Sequence, residues 1–290
     1  MSDAASSLDA RDAGRQPGAR GESRIARRFA ELRRGRELGL IAYLTAGDPT
    51  PEVSGKIILA AAEAGADVIE LGVPFSDPVA DGPTIQRASE RALRSGTTLG
   101  GVLEMAQRLR ARTETPFVVF SYFNPILQMG LEKFGEVAAA AGIDGVLATD
   151  MTPEESEEYR SAMRAHGLDT IFLGAPTSTD ARLERIAGCS SGFVYLISRT
   201  GVTGTRDALP QDLPALVRRA RRFTALPVAL GFGISQAAHV AALRGVADAA
   251  VVGSAVVAEV EKCAKAGASH EAMASAVAER IRALKSAARG

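Results

Sequence analysis

LIAYLTAGDPTPEVSGKIILAAAEAGADVIELG, residues Leu40 to Gly72, decides how this chain folds. Leu40 to Thr45 and Asp67 to Gly72 are short β-rich runs, and Val53 to Ala64 between them carries a helical pattern. The stretch therefore reads as strand, helix and parallel strand. The alternation continues with strand runs at Phe117 to Ser121, Gly145 to Thr149, Thr170 to Gly174, Gly192 to Ile197, Pro227 to Gly231 and Ala249 to Gly253. Helical patterns lie near Leu99 to Thr113, Leu131 to Ala141, Pro153 to His166, Asp180 to Ala187, Asp212 to Phe223, Ser235 to Arg244 and Ala255 to Ala266. Such a series predicts an α/β chain closed into a (β/α)8 TIM barrel. A doubly wound open sheet would have fewer consecutive pairs and often a Gly-rich first turn, where this chain has Ala46-Gly47-Asp48-Pro49. Thr152-Pro153-Glu154-Glu155 places a cap, a first-turn proline and first-turn acids ahead of one helix. Extra N-terminal and C-terminal helices, Ser23 to Arg34 and His270 to Ser286, are expected to plug the barrel floor or extend its rim. Residues 1–22 read as a flexible tail, leaving 23–290 as one barrel domain.

Composition narrows the function classes. Lys and Arg number 34 and Asp and Glu 34, so the chain of 290 residues lacks the broad positive field that non-specific nucleic-acid or anionic-membrane binding needs. Cys189 and Cys263 stand far apart, which speaks against a disulfide framework. His166, His239 and His270 form no ligand pair, suit helix surfaces, and leave a metal site without support. The longest apolar run, Ala249 to Ala258, is broken by Gly253 and Ser254, and the N-terminus lacks the apolar centre of a secretory signal. A soluble protein of the reducing cytoplasm is expected.

In a barrel, chemistry gathers at the C-terminal strand ends. Strand alternation puts Val68 and Glu70 on one face and Ile69 and Leu71 on the other, so Glu70 points into the barrel if the aliphatic pair packs under helices. Burial there raises a carboxyl pKa toward the range of general acid-base work, unless neighbouring hydroxyls satisfy it. The loop from Val73 to Pro83 adds Asp77 and Asp81, which serve either as a second carboxylate or as turn formers. Thr200-Gly201-Val202-Thr203-Gly204, Gly231-Phe232-Gly233-Ile234-Ser235 and Gly253-Ser254 follow strands six, seven and eight. Their glycines let backbone N–H groups approach a phosphate or simply make tight turns. Tyr43, Phe120, Tyr122, Tyr195 and Phe232 lie in or just beyond strand ends, where they hold a flat apolar ring or pack the core.

From about Arg28 to Glu261 the chain resembles the α subunit of tryptophan synthase. The carriers are Tyr43 to Pro49, Ile69 to Pro78 continuing through Ala80 to Gln86, Tyr195 to Gly204, and Gly231 to Ile234. The resemblance implies retro-aldol cleavage of indole-3-glycerol phosphate to indole and glyceraldehyde 3-phosphate, with no metal or organic cofactor in this chain. By it, Glu70 is the general acid-base and Asp81 accepts the indole N–H. Gly204, Gly233, Gly253 and Ser254 then hold phosphate, and Tyr43, Phe120, Tyr122, Leu147, Thr149, Leu173, Tyr195 and Phe232 line the indole and glycerol pocket. The segment from Arg199 to Pro210 matches a mobile loop whose Thr203 meets Asp81 on closing. A pyridoxal-phosphate β subunit in an αββα heterotetramer is the implied partner. Alternatives are a stand-alone lyase releasing free indole, a catalytically silent subunit, and another phosphosugar barrel enzyme.

Overall fold

Residues 22–197, 212–231 and 233–289 are described by a computed structural model; the expected tail up to residue 21, residues 198–211 with Thr203 and Gly204, and Phe232 lie outside the described residues. Nine parallel strands among the described residues make one sheet: β1 (Gly39–Thr45), β2 (Val68–Gly72), β3 (Phe117–Ser121), β4 (Gly145–Ala148), β5 (Asp169–Thr170), β6 (Leu173–Gly174), β7 (Val194–Ile197), β8 (Val228–Gly231) and β9 (Ala249–Val252). Their order is β5-β4-β3-β2-β1-β9-β8-β7-β6. The expected fifth run is thus split. Its first half pairs with β4 and its second half with β7, while the Ile171 N–H donates to the Val146 carbonyl (3.0 Å) and the Tyr195 N–H to the Phe172 carbonyl (3.3 Å). One continuous segment joins the two sheet edges, and the eight staves close as a TIM barrel.

Twelve α-helices among the described residues surround and plug it: α1 (Arg24–Gly35), α2 (Pro51–Glu63), α3 (Pro83–Arg94), α4 (Leu99–Arg110), α5 (Phe123–Met129), α6 (Leu131–Ala140), α7 (Glu157–Ala165), α8 (Asp180–Cys189), α9 (Leu213–Ala220), α10 (Ala237–Ala242), α11 (Ser254–Lys265) and α12 (His270–Arg289). Helices α3 and α5 were not expected. Ile85, Ala88, Ser89 and Ala92 bury one face of α3 at helical spacing behind Gly82-Pro83, while α5 spans only seven residues and is too short to show a period. The expected helix from Pro153 is instead a 3₁₀ turn, Pro153–Glu155, followed by α7. Thr152 does not cap its backbone; its hydroxyl donates to Glu155 Oε2 (3.1 Å). His239 is buried rather than on a helix surface, because its ring turns inward to accept the Ser235 N–H on Nδ1 (3.3 Å).

Strand alternation sorts the apolar residues into two cores. Ile41, Tyr43, Val68, Val118, Phe120, Leu147, Phe193, Tyr195 and Val251 fill the lumen, whereas Leu40, Ala42, Ile69, Leu71, Val119 and Leu230 face the helical shell. Helix α1 plugs the floor with Ile25, Phe29 and Leu32, the Phe29 ring lying 5.8 Å from that of Phe193. Helix α12 packs on α2, α10 and α11.

Charges tie both terminal helices to that floor. Asp67, just before β2, accepts the Leu40 N–H (2.6 Å), Lys285 Nζ of α12 (2.7 Å) and Arg28 Nε of α1 (3.0 Å). Asp144 and Asp248 likewise accept the first N–H of a neighbouring strand, from Phe117 and Val228 (both 2.8 Å). Since Asp67 and Lys285 are both buried, removing the carboxylate leaves a buried ammonium with only the longer contact to Glu37 (3.5 Å) as an ion pair. Asp67→Asn is expected to cost about 3–5 kcal/mol in urea unfolding, and Lys285→Met less, since Arg28 and the Leu40 amide still satisfy the carboxylate. Equal costs would contradict this division.

Candidate active site

Glu70 occupies the third position of β2, in register with Tyr43 of β1 and Val118 of β3. Ile69 and Leu71 pack outward under the helices, so alternation turns Glu70 inward, where no part of it reaches solvent. Neither carboxyl oxygen has a hydrogen-bond partner among the described residues, and burial pushes the pKa up to about 8. The expected inward orientation holds, and the neighbouring-hydroxyl alternative does not.

Asp81 comes from the loop after β2. The Tyr122 hydroxyl donates to Asp81 Oδ2 (3.2 Å) and accepts the Ala80 N–H (2.9 Å), while Gln86 Nε2 of α3 donates to the Asp81 carbonyl (2.9 Å). Burial raises the Asp81 pKa to about 6, the Tyr122 hydroxyl opposing the rise. Helix α3 fixes the far end of this loop. Arg91 grips Asp48 in two hydrogen bonds (2.7 and 2.8 Å), and Arg87 grips Glu261 of α11 in two more (2.7 and 2.8 Å). Arg87 and Lys265 hold the Glu261 carboxyl down at about 2. Neither arginine figured among the expected site residues, because their partners lie 43 and 174 positions away.

Both carboxyls line one cavity of about 340 Å³ together with Tyr43, Phe120, Tyr195, Gly233, Gly253 and Ser254. The Tyr43 and Phe120 rings meet edge to face at 5.1 Å. Two strand-end glycines make room for the phenols: a Cβ on Gly72 would lie 2.2 Å from the Tyr43 hydroxyl, and one on Gly231 would lie 2.1 Å from that of Tyr195. Of the other expected pocket residues, Tyr122 acts on the site through Asp81 and Ala80. Leu147 is sealed in the lumen, Leu173 packs against the same cluster, and the Thr149 hydroxyl donates to the Ser121 carbonyl (3.3 Å), so none of these three lines the cavity. Ile85, which does line it, was not among the expected pocket residues, and Ser235 figured only as the end of the glycine-bearing stretch Gly231 to Ser235, without a role of its own.

The cavity's far end suits an anion. Helix α11 starts at Ser254 with Gly253 as N-cap and no side-chain cap, leaving its first N–H groups for a ligand. Gly233 adopts φ 82°, a backbone shape that favours glycine. Among the described residues no cluster of three or more His, Cys, Asp or Glu side chains could hold a metal ion, and no helix is long and apolar enough to cross a membrane.

A family model described as "Tryptophan synthase alpha chain" matches residues 29–289. The tryptophan synthase alpha chain of Solibacter usitatus is 54% identical over 246 residues, covering 85% of this chain and 92% of that one. Its counterpart in Geobacter sulfurreducens is 49% identical over 235 residues, covering 81% and 89%. Among solved structures, Mycobacterium tuberculosis tryptophan synthase superposes with TM-score 0.85 at 36% identity, covering 93% of this chain and all of that one. The alpha subunit of Legionella pneumophila superposes with TM-score 0.82 at 33% identity, covering 92% and 98%.

Burial of Glu70 carries a stability cost with a defined sign. Its folded pKa lies above the ordinary value of 4.5, so the unfolded chain loses that proton first and stability falls as pH rises from about 4.5 to 8. Glu70→Gln is therefore expected to stabilise the fold by about 3 kcal/mol at pH 7 and by almost nothing at pH 4. Urea unfolding at both pH values checks it, and a gain independent of pH would contradict the assignment.

Proposed function

The chain belongs to the tryptophan synthase alpha chain family, and from that premise we propose that it is the lyase subunit that splits indole-3-glycerol phosphate into indole and glyceraldehyde 3-phosphate. The observation that carries the reading is the pair of carboxyls in one cavity, with pKa values pushed apart to about 8 and about 6. Near pH 7 Glu70 holds a proton and Asp81 does not, which assigns the acid and the anion.

Glu70 delivers its proton to indole C3, and the resulting indolenine nitrogen carries positive charge. Asp81 accepts its N–H and stabilises that charge. The bond between C3 and the hydroxyl-bearing carbon then breaks. Its electron pair restores the indole ring, the carbon becomes the aldehyde, and the hydroxyl proton returns to Glu70. Protons balance within the step, so one buried residue serves as both acid and base. Tyr43 and Phe120 flank the flat ring, and Gly233, Gly253 and Ser254 receive the phosphate.

The reading extends to a β subunit that holds pyridoxal phosphate, takes up indole within an αββα assembly and makes L-tryptophan in the cytoplasm; this chain needs no cofactor of its own. Support for a partner at the barrel mouth comes from two apolar side chains left in solvent there, Val79 at 86% and Leu127 at 52% exposure. The relatives named above are alpha chains, which favours partnered work over a stand-alone lyase releasing free indole.

Purified chain assayed with indole-3-glycerol phosphate tests this. Indole release is expected to rise when a β subunit is added, and to fall at least about 10²-fold in Glu70→Gln and in Asp81→Asn. High activity indifferent to the partner would favour the stand-alone enzyme, and no activity in either setting would overturn the proposal. Because Asp81 must be ionised and Glu70 protonated, kcat/KM of the isolated chain should rise through about pH 6 and fall through about pH 8. A profile flat from pH 5 to 9 would contradict those roles.

A further inference from the structure

Ser235 is 7% exposed and sits in the cavity wall beside Gly233, Gly253 and Ser254. Both of its main-chain groups are engaged: the N–H donates to His239 Nδ1 (3.3 Å), and the carbonyl accepts from the Arg280 guanidinium of α12. Its hydroxyl, by contrast, has no hydrogen-bond partner among the described residues. A hydroxyl kept from both water and protein loses free energy that a polar ligand atom restores.

Charge narrows the ligand. Arg87 also lines the cavity, but Glu261 neutralises it through two hydrogen bonds. Arg280 forms no ion pair among the described residues, and its Nε is buried without a hydrogen-bond partner. A whole positive charge therefore stands one peptide group behind the wall, where low dielectric lengthens its reach. The wall it backs also carries the uncapped start of α11, whose N–H groups already favour an anion.

We propose that Ser235 is a further ligand of the substrate's phosphate group and that Arg280 is the positioning residue behind it, holding the Ser235 peptide in place and supplying the site's net positive charge. The inference rests on the function proposed above and deepens it. It makes the last helix, 45 residues along the chain from the loop it serves, part of the phosphate site.

Steady-state kinetics with indole-3-glycerol phosphate, together with calorimetric binding of inorganic phosphate and of indole, test it. Arg280→Met is expected to raise KM about ten-fold with kcat changed less than two-fold, and to weaken phosphate binding in parallel. Indole carries no phosphate, so its affinity should hold. Arg280→Lys should recover much of the loss, Ser235→Ala should raise KM several-fold, and Arg282→Met, removing an exposed charge from the same helix, should change nothing. Unchanged KM in Arg280→Met, or a parallel loss of indole affinity and thermal stability, would overturn the proposal in favour of a packing role. Absence of turnover in the unmutated chain would overturn the proposed function instead; phosphate binding that still falls in Arg280→Met would then uphold the anion site by itself.

Discussion

A carboxyl with no hydrogen-bond partner among the described residues stands inside a closed barrel, and much of the surrounding structure serves to keep it there in the neutral form. Desolvation is the whole cause of Glu70's raised pKa, so any leak of water to it would undo the effect. Below it, α1 packs Ile25, Phe29 and Leu32 into the floor of the lumen, and the split fifth strand closes the ring. Gly72 and Gly231 leave room for the Tyr43 and Tyr195 hydroxyls at the strand ends, so both rings line the cavity that Glu70 faces. The aspartates at the opposite end of the strands pair with arginine and lysine, and that contrast is physical. The carboxylates at the floor are structural and paired with cations, whereas neither Glu70 nor Asp81 has a cationic partner among the described residues.

Asp81 makes the second half of the arrangement by being less buried and better solvated through a hydrogen bond. The Tyr122 hydroxyl opposes the desolvation, so the two carboxyls of one cavity titrate about two units apart. Helix α3 matters here as an anchor. Its arginines reach Asp48 and Glu261, and its first residue follows Asp81 by two positions, so the loop bearing Asp81 is pinned at its exit.

Much of this was legible in the residues themselves. Period-two alternation in β2 placed Glu70 in the lumen, and the series of strand runs placed the barrel; both follow from local geometry. What stayed hidden depends on contacts between distant positions. The inward turn of His239 answers to the Ser235 amide, and the arginines of α3 answer to partners on other elements. Helix α3 had a readable start at Gly82-Pro83 and a buried face at helical spacing, yet Pro74 and Pro78 before it and Pro83 at its first position make the stretch read as loop. Leu147 and Leu173 were expected in the pocket from the resemblance alone; both pack with the lumen cluster, but depth along the barrel axis decides which inward residues meet the cavity, and sequence carries no record of depth.

The account turns on burial holding Glu70 protonated while Asp81 stays ionised in the same cavity. Carbon-13 titration of the labelled side-chain carboxyls, assigned with Glu70→Gln and Asp81→Asn, reads both groups directly. Midpoints near about 8 for Glu70 and about 6 for Asp81 are the predicted result. Two midpoints near the ordinary carboxylate value of about 4 would show that water reaches the lumen and would contradict the account.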